Sequence, residues 1–304
     1  MRAVHSVKEV QETLKEFRDG KTGSDPIFAQ EASGKMGSDP VFPSLNSIGL
    51  VPTMGALHTG HIRLIQTARQ ECGFVAVSIF VNPLQFGPNE DYARYPKTLE
   101  ADLEICRQNG VDLVFAPSVE EMYPLPNTPL VDVPAGLTEH LCGPFRPGHF
   151  QGVATVVLKL FDIVKPNRAY FGEKDAQQLA VIRRVVRDRN LLVEIVGVPT
   201  VREPDGLALS SRNKYLSHQE RQIAPFLYKS LKEAARLIRS GDKDPAQVRK
   251  SALRLLDEEL GISVEYFEIV ELEGLQPVTT IEGPVLIAAA VWIGTTRLID
   301  NVSA

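Results

Sequence analysis

The sequence has few cysteines, no long apolar run and no excess of basic residues, and each shortage excludes a class of protein. Its three cysteines, Cys72, Cys106 and Cys142, are too widely spaced within 304 residues for a disulfide framework or a zinc site. The longest apolar run, 285–294, is shorter than the roughly 20 residues that cross a bilayer. A formal net charge of −5 argues against general binding of nucleic acid, which requires a basic surface.

The remaining composition is that of an ordinary globular protein. Hydrophobic residues make up 43% and charged residues 23% of a chain long enough for one large or two medium domains. The first 20 residues carry charges throughout, so we expect no secretory signal. Together with the cysteine usage, this predicts a cytoplasmic protein that has no membrane or nucleic-acid partner.

The most informative stretch of the chain runs from Val51 to His61. The apolar run 48–51 before its turn is typical of a buried parallel strand, and Pro52 and Gly55 interrupt regular structure. After the turn, apolar residues recur at helical spacing, at Ile62, Leu64, Ile65 and Ala68. A strand, a glycine-containing turn and a helix that begins at about Gly60 form the layout that α/β folds use to hold phosphate.

Two histidines, His58 and His61, stand three residues apart around Gly60 within this stretch. Each imidazole can offer a ring nitrogen to phosphate oxygens, and glycine removes a side chain that would block a close approach. Two other interpretations are chance surface histidines and a metal site. The absence of a His-Glu-x-x-His pattern argues against the metal site.

A near-duplicated segment precedes the first strand, because residues 20–28 recur almost unchanged as residues 34–42. Both copies are rich in Gly, Ser and Pro and lack helical or strand periodicity. We interpret residues 19–46 as a flexible surface insertion, and we expect that joining its ends with a short turn leaves catalysis nearly unchanged.

Strands and helices alternate along the first two thirds of the chain. Strands are predicted at 48–51, 74–81, 111–116, 168–171 and 192–198, and helices at 4–17, 60–68, 99–108, 153–164 and 175–188. This alternation predicts an α/β protein with a Rossmann-like parallel sheet over residues 1–199. Residues 200–304 change character, with helices at 217–239 and 245–260 and antiparallel strands at 264–272 and 284–301. We therefore expect a smaller, C-terminal α+β domain.

Polar side chains follow two of the predicted strands, where parallel sheets bind ligands. Asn82 and Gln85 follow the second strand and are candidates for recognising hydroxyl or carboxylate groups, with loop capping as the alternative. Lys174 and Asp175 lie at a later strand-to-helix junction, where a lysine can neutralise phosphate charge.

Two further segments carry groups that bind anions. Ser210 and Ser211 are followed by Arg212, and two hydroxyls and a guanidinium can bond different oxygens of one phosphate chain. Serines that cap a helix are the alternative, although the next helix is predicted only near Ser217. Arg146, in a turn predicted over 142–150, is either an anion ligand or a solvated surface arginine.

Five blocks, in this order, resemble the pantothenate synthetases (pantoate–β-alanine ligases), adenylate-forming members of the HIGH-motif nucleotidyltransferase superfamily. The blocks are 52–61 (Pro-Thr-Met-Gly-Ala-Leu-His-Thr-Gly-His), 81–86 (Val-Asn-Pro-Leu-Gln-Phe), 145–150 (Phe-Arg-Pro-Gly-His-Phe), 171–178 (Phe-Gly-Glu-Lys-Asp-Ala-Gln-Gln) and 205–213 (Asp-Gly-Leu-Ala-Leu-Ser-Ser-Arg-Asn). The resemblance extends over nearly the whole chain. Leu209 departs from relatives that carry Met there, a tolerable change of similar volume. The duplicated insertion is a second departure.

The resemblance implies a ligase that joins (R)-pantoate to β-alanine. The pantoate carboxylate would attack the α-phosphorus of ATP to give pantoyl adenylate and pyrophosphate, and the β-alanine amine would then displace AMP. ATP is the implied co-substrate and Mg²⁺ the implied cofactor, with Asp102 a possible contributor among otherwise unknown metal ligands. The implied partners are small molecules and a second copy of the chain in a homodimer. A fused nucleotide kinase, which some relatives carry, is not expected.

The resemblance also assigns the site residues. The implied catalytic residues are His61, which is the usual candidate for proton donor, His58 and Lys174. The implied ATP-binding residues are Met54, Gly55, Ala56, Leu57, His58, Thr59, Gly60, His61, Gly172, Glu173, Lys174, Asp175, Val201, Leu209, Ser210, Ser211 and Arg212. Pantoate or β-alanine would be bound by Gln85 and Gln178, with Asn82 in support.

Two other functions stay open at this point. One is another adenylyltransferase of the same fold that transfers to a phosphate. The neutral amides of Gln85 and Gln178 argue against it, because a phosphate acceptor would call for further cations. The other is a non-catalytic nucleotide-binding protein, against which the intact pair of histidines and Lys174 argue.

Overall fold

The computed structural model describes residues 1–20, 44–88, 90–125 and 128–304. Most of the predicted insertion at 19–46 therefore lies outside the described residues. Its predicted bounds are too wide, because helix α1 extends to Gly20 and strand β2 begins at Ser44. Among the described residues, no helix is both long enough and apolar enough to cross a membrane.

A parallel sheet of six strands forms the centre of the first part of the chain. Its strands are β1 (Arg2–Val4), β2 (Ser44–Thr53), β3 (Cys72–Ile79), β4 (Leu113–Phe115), β5 (Arg168–Gly172) and β6 (Glu194–Val198). They lie in the order β1-β4-β3-β2-β5-β6, with every pair parallel. The predicted Rossmann-like fold class is confirmed. Strand β1 was not predicted, because three residues are too few to show the periodicity of a strand.

Helices cover both faces of this sheet. They are α1 (Val7–Gly20), α2 (Thr59–Glu71), α3 (Leu99–Gln108), α4 (Val119–Met122), α5 (His149–Val164) and α6 (Ala176–Asp188). One face packs β2 and β3 side chains against α1, α5 and α6, and the other packs them against α2 and α3. Helix α5 begins at His149, four residues before its predicted start, because Gly148 takes a left-handed conformation (φ 79°) that ends the preceding turn.

The C-terminal part contains three helices and an antiparallel sheet of three strands. The helices are α7 (His218–Ile223), α8 (Phe226–Arg239) and α9 (Pro245–Asp257), and the strands are β7 (Ile262–Glu271), β8 (Val285–Ile293) and β9 (Thr296–Ser303). The single helix predicted over 217–239 is wrong, because Pro225 has no amide hydrogen and separates two helices. The strand predicted over 284–301 is two strands joined by a tight turn at Gly294 (φ 55°).

An apolar cluster joins helices α5 and α6 to the C-terminal sheet. It brings Phe150 of α5 and Val181 of α6 together with Tyr266 of β7 and Ala288 of β8, all of them buried. Through this contact the C-terminal sheet lies beside the segments that follow β5 and β6. The carboxyl ends of the parallel strands consequently face the C-terminal part of the chain.

Candidate active site

A cavity of about 240 Å³ opens at the carboxyl edge of the parallel sheet, between β2, β3, β5 and β6 and the segment that follows β6. Fifteen of the residues assigned by sequence line it: Met54, His58, Gly60, His61, Asn82, Gln85, Gly172, Lys174, Asp175, Gln178, Val201, Leu209, Ser210, Ser211 and Arg212. Segments more than 150 residues apart in the chain thus meet at the edge where α/β folds bind ligands. Gly55, Ala56, Leu57, Thr59 and Glu173 do not line the cavity.

The turn after β2 is held by the buried carboxylate of Asp102. Its two oxygens accept the backbone amides of Ala56 at 3.0 Å and Leu57 at 2.8 Å, and the hydroxyl of Thr98 donates to it at 3.1 Å. Both Gly55 (φ 83°) and Ala56 (φ 51°) adopt the left-handed conformation, which is unfavourable for alanine. Asp102 therefore stabilises a strained turn.

The two histidines at the start of α2 have defined tautomers. The amide of Gly60 donates to Nδ1 of His58 at 3.1 Å, and the amide of His58 donates to Nδ1 of His61 at 3.3 Å. A backbone amide can only donate, so each Nδ1 is an acceptor and each neutral ring carries its hydrogen on Nε2. The two Nε2–H donors thus belong to neighbouring rings, with the centroids of His58 and His61 4.2 Å apart.

Both imidazoles are neutral near pH 7. Burial, and then the positive charge of Lys174, lowers the pKa of His58 to about 4. Burial, and then His58, lowers the pKa of His61 to about 3. Gly60 is required between them for a reason that the sequence did not show. A Cβ there would lie 2.9 Å from Cε1 of His58, so any side chain would displace the ring that caps the helix.

Lys174 lines the cavity from the short 3-10 helix Glu173–Asp175, which follows β5. The described part of the chain provides no salt bridge for its ammonium group. Lys174 and Asp175 also line a neighbouring cavity of about 280 Å³, on the side of the C-terminal sheet, which shares Ser210 and Arg212 with the first. Lys174 therefore contributes to the walls of both cavities.

Two amide side chains, Gln85 and Gln178, also line the cavity. The Oε1 atom of Gln85 accepts Nδ2 of Asn82 at 3.1 Å, and its Nε2 lies 3.2 Å from the sulfur of Met54. A sulfur atom is a weak acceptor, so this amide keeps hydrogen-bonding capacity for a ligand. The side chain of Gln178 has no hydrogen-bond partner among the described residues.

Asn82 is only 1% exposed, and all its polar atoms have partners. Its Nδ2 donates to Gln85 and to the carbonyl of Gly152 at 3.1 Å, while its Oδ1 accepts the hydroxyl of Tyr123 at 2.8 Å and the amide of Leu84 at 3.3 Å. The loop-capping alternative therefore holds for Asn82. What the residue does for the cavity is to orient Gln85. Tyr123 was not identified from the sequence, which gives no sign that it folds back onto the strand.

The segment after β6 presents Ser210, Ser211 and Arg212 to the cavity. Ser210 caps a 3-10 helix, Ser211–Tyr215, by accepting the amide of Arg212 at 3.3 Å. The next α-helix does start near Ser217, as predicted, since Ser217 caps α7. The cap formed by Ser210 belongs to the short 3-10 helix before it, so capping is one role of Ser210. The guanidinium of Arg212 pairs with both oxygens of Asp91, at 3.1 and 2.8 Å.

A second arginine at the rim, Arg146, is no solvated surface residue. Its Nε and Nη2 donate to the carboxylate of Glu90 at 2.7 and 2.6 Å. Its Nη1 lies 2.9 Å from Nε2 of His149, whose Nδ1 donates to the carbonyl of Gln85 at 2.8 Å. Burial, and then Arg146, lowers the pKa of His149 to about 4, so that a neutral ring links the arginine to the Gln85 segment. Glu90 was not identified because it belongs to none of the motifs.

Fold and site together define a Rossmann-like α/β protein with a polar cavity at its strand ends. A model of the pantoate–β-alanine ligase family matches residues 37–303. Among curated proteins, the pantothenate synthetase of Acetivibrio thermocellus is 55% identical over 255 residues, which cover 84% of this chain and 90% of that protein. The pantothenate synthetase of Moorella thermoacetica is 56% identical over 256 residues, with the same coverage.

Solved structures give the same result. The crystal structure of pantothenate synthetase from Thermus thermophilus superimposes with a TM-score of 0.86 and 45% identity over 99% of both chains. A pantoate–β-alanine ligase from Francisella tularensis, solved with a β,γ-ATP compound and β-alanine, superimposes with a TM-score of 0.72 and 35% identity over 99% of this chain and 97% of that chain. This chain belongs to the pantoate–β-alanine ligase family.

Proposed function

We propose that the protein joins pantoate to β-alanine with ATP, through a pantoyl-adenylate intermediate. One observation carries this proposal: the same cavity holds cationic and N–H donors suited to phosphate and neutral amides suited to a hydroxy acid. In the first step the pantoate carboxylate attacks the α-phosphorus of ATP, and pyrophosphate leaves. In the second step the amine of β-alanine attacks the acyl carbon, the bond to the phosphate oxygen breaks, and AMP leaves.

The first step places extra negative charge on the α-phosphate, and this charge needs fixed donors. The Nε2–H groups of His58 and His61 and the ammonium of Lys174 would supply them from the segments that follow β2 and β5. With a pKa of about 3, His61 would act as a neutral hydrogen-bond donor rather than as an acid that releases its proton. On this basis the sequence His58-Thr59-Gly60-His61 would serve as the HIGH motif of the nucleotidyltransferases.

Departing pyrophosphate requires donors at the other end of the nucleotide. Ser210, Ser211 and Arg212 line the first cavity or its junction with the second, and they would bind the β- and γ-phosphates. Arg212 is paired with Asp91 here, so a bound phosphate would replace the Asp91 carboxylate as the anionic partner of Arg212. The other ATP contacts would come from Met54 to His61, Gly172 to Asp175, Val201 and Leu209.

Mg²⁺ would come to this site with the nucleotide. Among the described residues, no group of three or more His, Cys, Asp or Glu side chains forms a metal cage. This fits Mg²⁺ held chiefly by phosphate oxygens and water, with one or two carboxylates in support. Asp175 lines the cavity and is free of ion pairs with the described residues, so it is the carboxylate we assign to that support. The ion would neutralise triphosphate charge.

Pantoate would lie against Gln85 and Gln178, and Asn82 would hold Gln85 in position. An amide offers a donor and an acceptor together, which matches adjacent hydroxyl and carboxylate groups. A phosphate acceptor, as in another adenylyltransferase of the same fold, would present only acceptors to these neutral groups. The amides therefore favour the hydroxy acid.

We also propose a division into two domains, an oligomeric state and a cellular location. We assign residues 1–199 and 200–304 to separate domains, which is supported by the end of the parallel sheet at Val198 and by a distinct apolar core that includes Leu227, Val248 and Phe267. We further propose a homodimer in the cytoplasm. The family resemblance supports the dimer, and three buried cysteines without disulfide bonds are compatible with a reducing compartment.

Exchange of labelled pyrophosphate into ATP tests this function directly. We expect exchange that depends on pantoate and needs no β-alanine, followed by release of AMP when β-alanine is added. Exchange that requires a phosphorylated acceptor instead would establish the other adenylyltransferase. ATP binding without exchange for any acceptor would show a non-catalytic nucleotide-binding protein.

A further inference from the structure

The last strand of the C-terminal sheet reaches across to the segment that carries Lys174. The Nδ2 atom of Asn301, on β9, donates to the backbone carbonyl of Glu173 at 3.0 Å and to that of Lys174 at 2.8 Å. These carbonyls belong to the 3-10 helix between β5 and α6. One side chain from residue 301 therefore fixes two consecutive peptide groups at the edge of the nucleotide cavity.

Asn301 is itself firmly held. Its backbone amide donates to Oδ1 of Asp300 at 2.8 Å, and its carbonyl accepts Nη2 of Arg202 at 3.2 Å. Arg202 makes a two-pronged ion pair with Asp300, at 2.5 and 3.0 Å, and stacks on the ring of Tyr228 at 3.8 Å. Asp300 is only 3% exposed. A buried, charge-assisted pair of this kind keeps its geometry better than an exposed one.

The same arginine anchors the other nucleotide segment. Arg202 also donates to the carbonyl of Gly206 at 3.2 Å, in the turn that leads to the segment 210–212. The chain of contacts Gly206–Arg202–Asp300–Asn301–Lys174 thus connects the turn before the segment 210–212 with the segment that carries Lys174. Of these five residues, Lys174 alone lines the first cavity. Any effect of the other four residues on that cavity is therefore indirect.

We propose that Asn301 is a positioning residue for adenylate formation, acting through Lys174. By holding the two carbonyls, its amide sets the direction from which the Lys174 ammonium faces the phosphate. A point charge is useful in a transition state only at the correct distance, so a loss of this hold should lower the reaction rate more than it lowers folding stability. The inference rests on the proposed function, which assigns Lys174 to phosphate.

A double-mutant cycle tests the proposal. As a single substitution, Asn301→Ala should lower kcat/KM for ATP about tenfold in pantoate-dependent pyrophosphate exchange, a change equivalent to ~1.4 kcal/mol. The KM for pantoate should change little. In a Lys174→Ala background the same substitution should have almost no further effect, because its action passes through the missing ammonium. Asn301→Asp keeps the side-chain shape and removes the donor, so it should match or exceed the loss of the alanine variant.

Gln276→Ala is the matched control. The Nε2 atom of Gln276 also donates to two backbone carbonyls, those of Gly136 and Gly274, at 2.6 and 3.2 Å, and it lines neither cavity. This variant should keep wild-type exchange.

Equal, additive effects of Asn301→Ala with and without Lys174 would show a general structural role and overturn the proposal. So would unchanged exchange in the Asn301→Asp variant, which serves alone if the alanine variant does not fold. Absence of pantoate-dependent exchange in the wild-type protein would instead reject the proposed function, so the two failures are distinguishable.

Discussion

The backbone amide of His58 donates to Nδ1 of His61 over 3.3 Å, so the first histidine of the pair fixes the tautomer of the second. His58 is itself fixed by the amide of Gly60. The hydrogen bonds that cap α2 therefore also orient the two Nε2–H donors. A helix N-terminus that already favours anions gains two directed hydrogen-bond donors in this way.

His61→Ala should lower kcat by about 100-fold, the scale for removing one preorganised donor from a developing charge. KM for ATP should rise less, because the donor is aimed at charge that grows in the transition state. Steady-state kinetics with ATP varied measure both. His218→Ala, which removes an exposed histidine at the start of α7, is the control and should retain wild-type rates. Near-normal kcat in the His61 variant would contradict the assignment.

Stability should decrease on acidification from pH 6.5 toward pH 4 because of the two partly buried histidines, His58 and His61. Their pKa values are about 4 and about 3 in the folded protein and near 6.5 when unfolded, so between these values the unfolded chain binds more protons. The free energy of unfolding therefore rises with pH in this window. Urea titrations at pH 7.5 and pH 5.0 should show a smaller difference for His61→Gln than for wild type. An unchanged difference would mean that His61 is not buried as a neutral ring.

Asp102→Asn should reduce both stability and activity. The two carboxylate oxygens of Asp102 accept backbone amides of the turn before His58, and the substitution replaces one of these acceptors with an NH2 donor. Loss of a buried acceptor costs about 1–3 kcal/mol, measured by urea unfolding, and displacement of the turn should lower kcat. Asp112→Asn is the matched control. Asp112 accepts the amide of Val75 at 2.8 Å and pairs with Arg69 at 2.7 Å, outside both cavities. It should reduce stability without reducing kcat. If both variants keep full kcat, the turn does not depend on Asp102.

Gln85→Ala and Gln178→Ala should each raise KM for pantoate about tenfold, since an unpaired hydroxyl or carboxylate oxygen costs roughly 1–3 kcal/mol in a partly dry site. KM for ATP should change much less. Lys174→Ala should do the opposite and impair ATP use and kcat. Kinetics with each substrate varied separately distinguish these results. Glutamine variants that lose ATP affinity while pantoate binding is unchanged would show that the cavity is divided differently.

The sequence alone was enough for the family, the fold class and the two histidines. Strand-forming and helix-forming periods are local properties, so the order of βαβ units and the helix start at residue 60 follow from neighbours in the chain. The motif residues lie at the ends of those units, where the topology of a parallel sheet brings them to one edge. Their convergence on one cavity was therefore predictable before any distance was known.

Only the tertiary structure decided how these groups are held. Asp102 supports the His58 turn from 45 or 46 residues away, and Asn301 supports Lys174 from 127 residues away. Glu90 and Asp91 pair with Arg146 and Arg212 across similar gaps. Hydrogen bonds and ion pairs between distant segments leave no period in the sequence. They arise when folding packs distant segments of the chain together, because buried polar groups must then find partners.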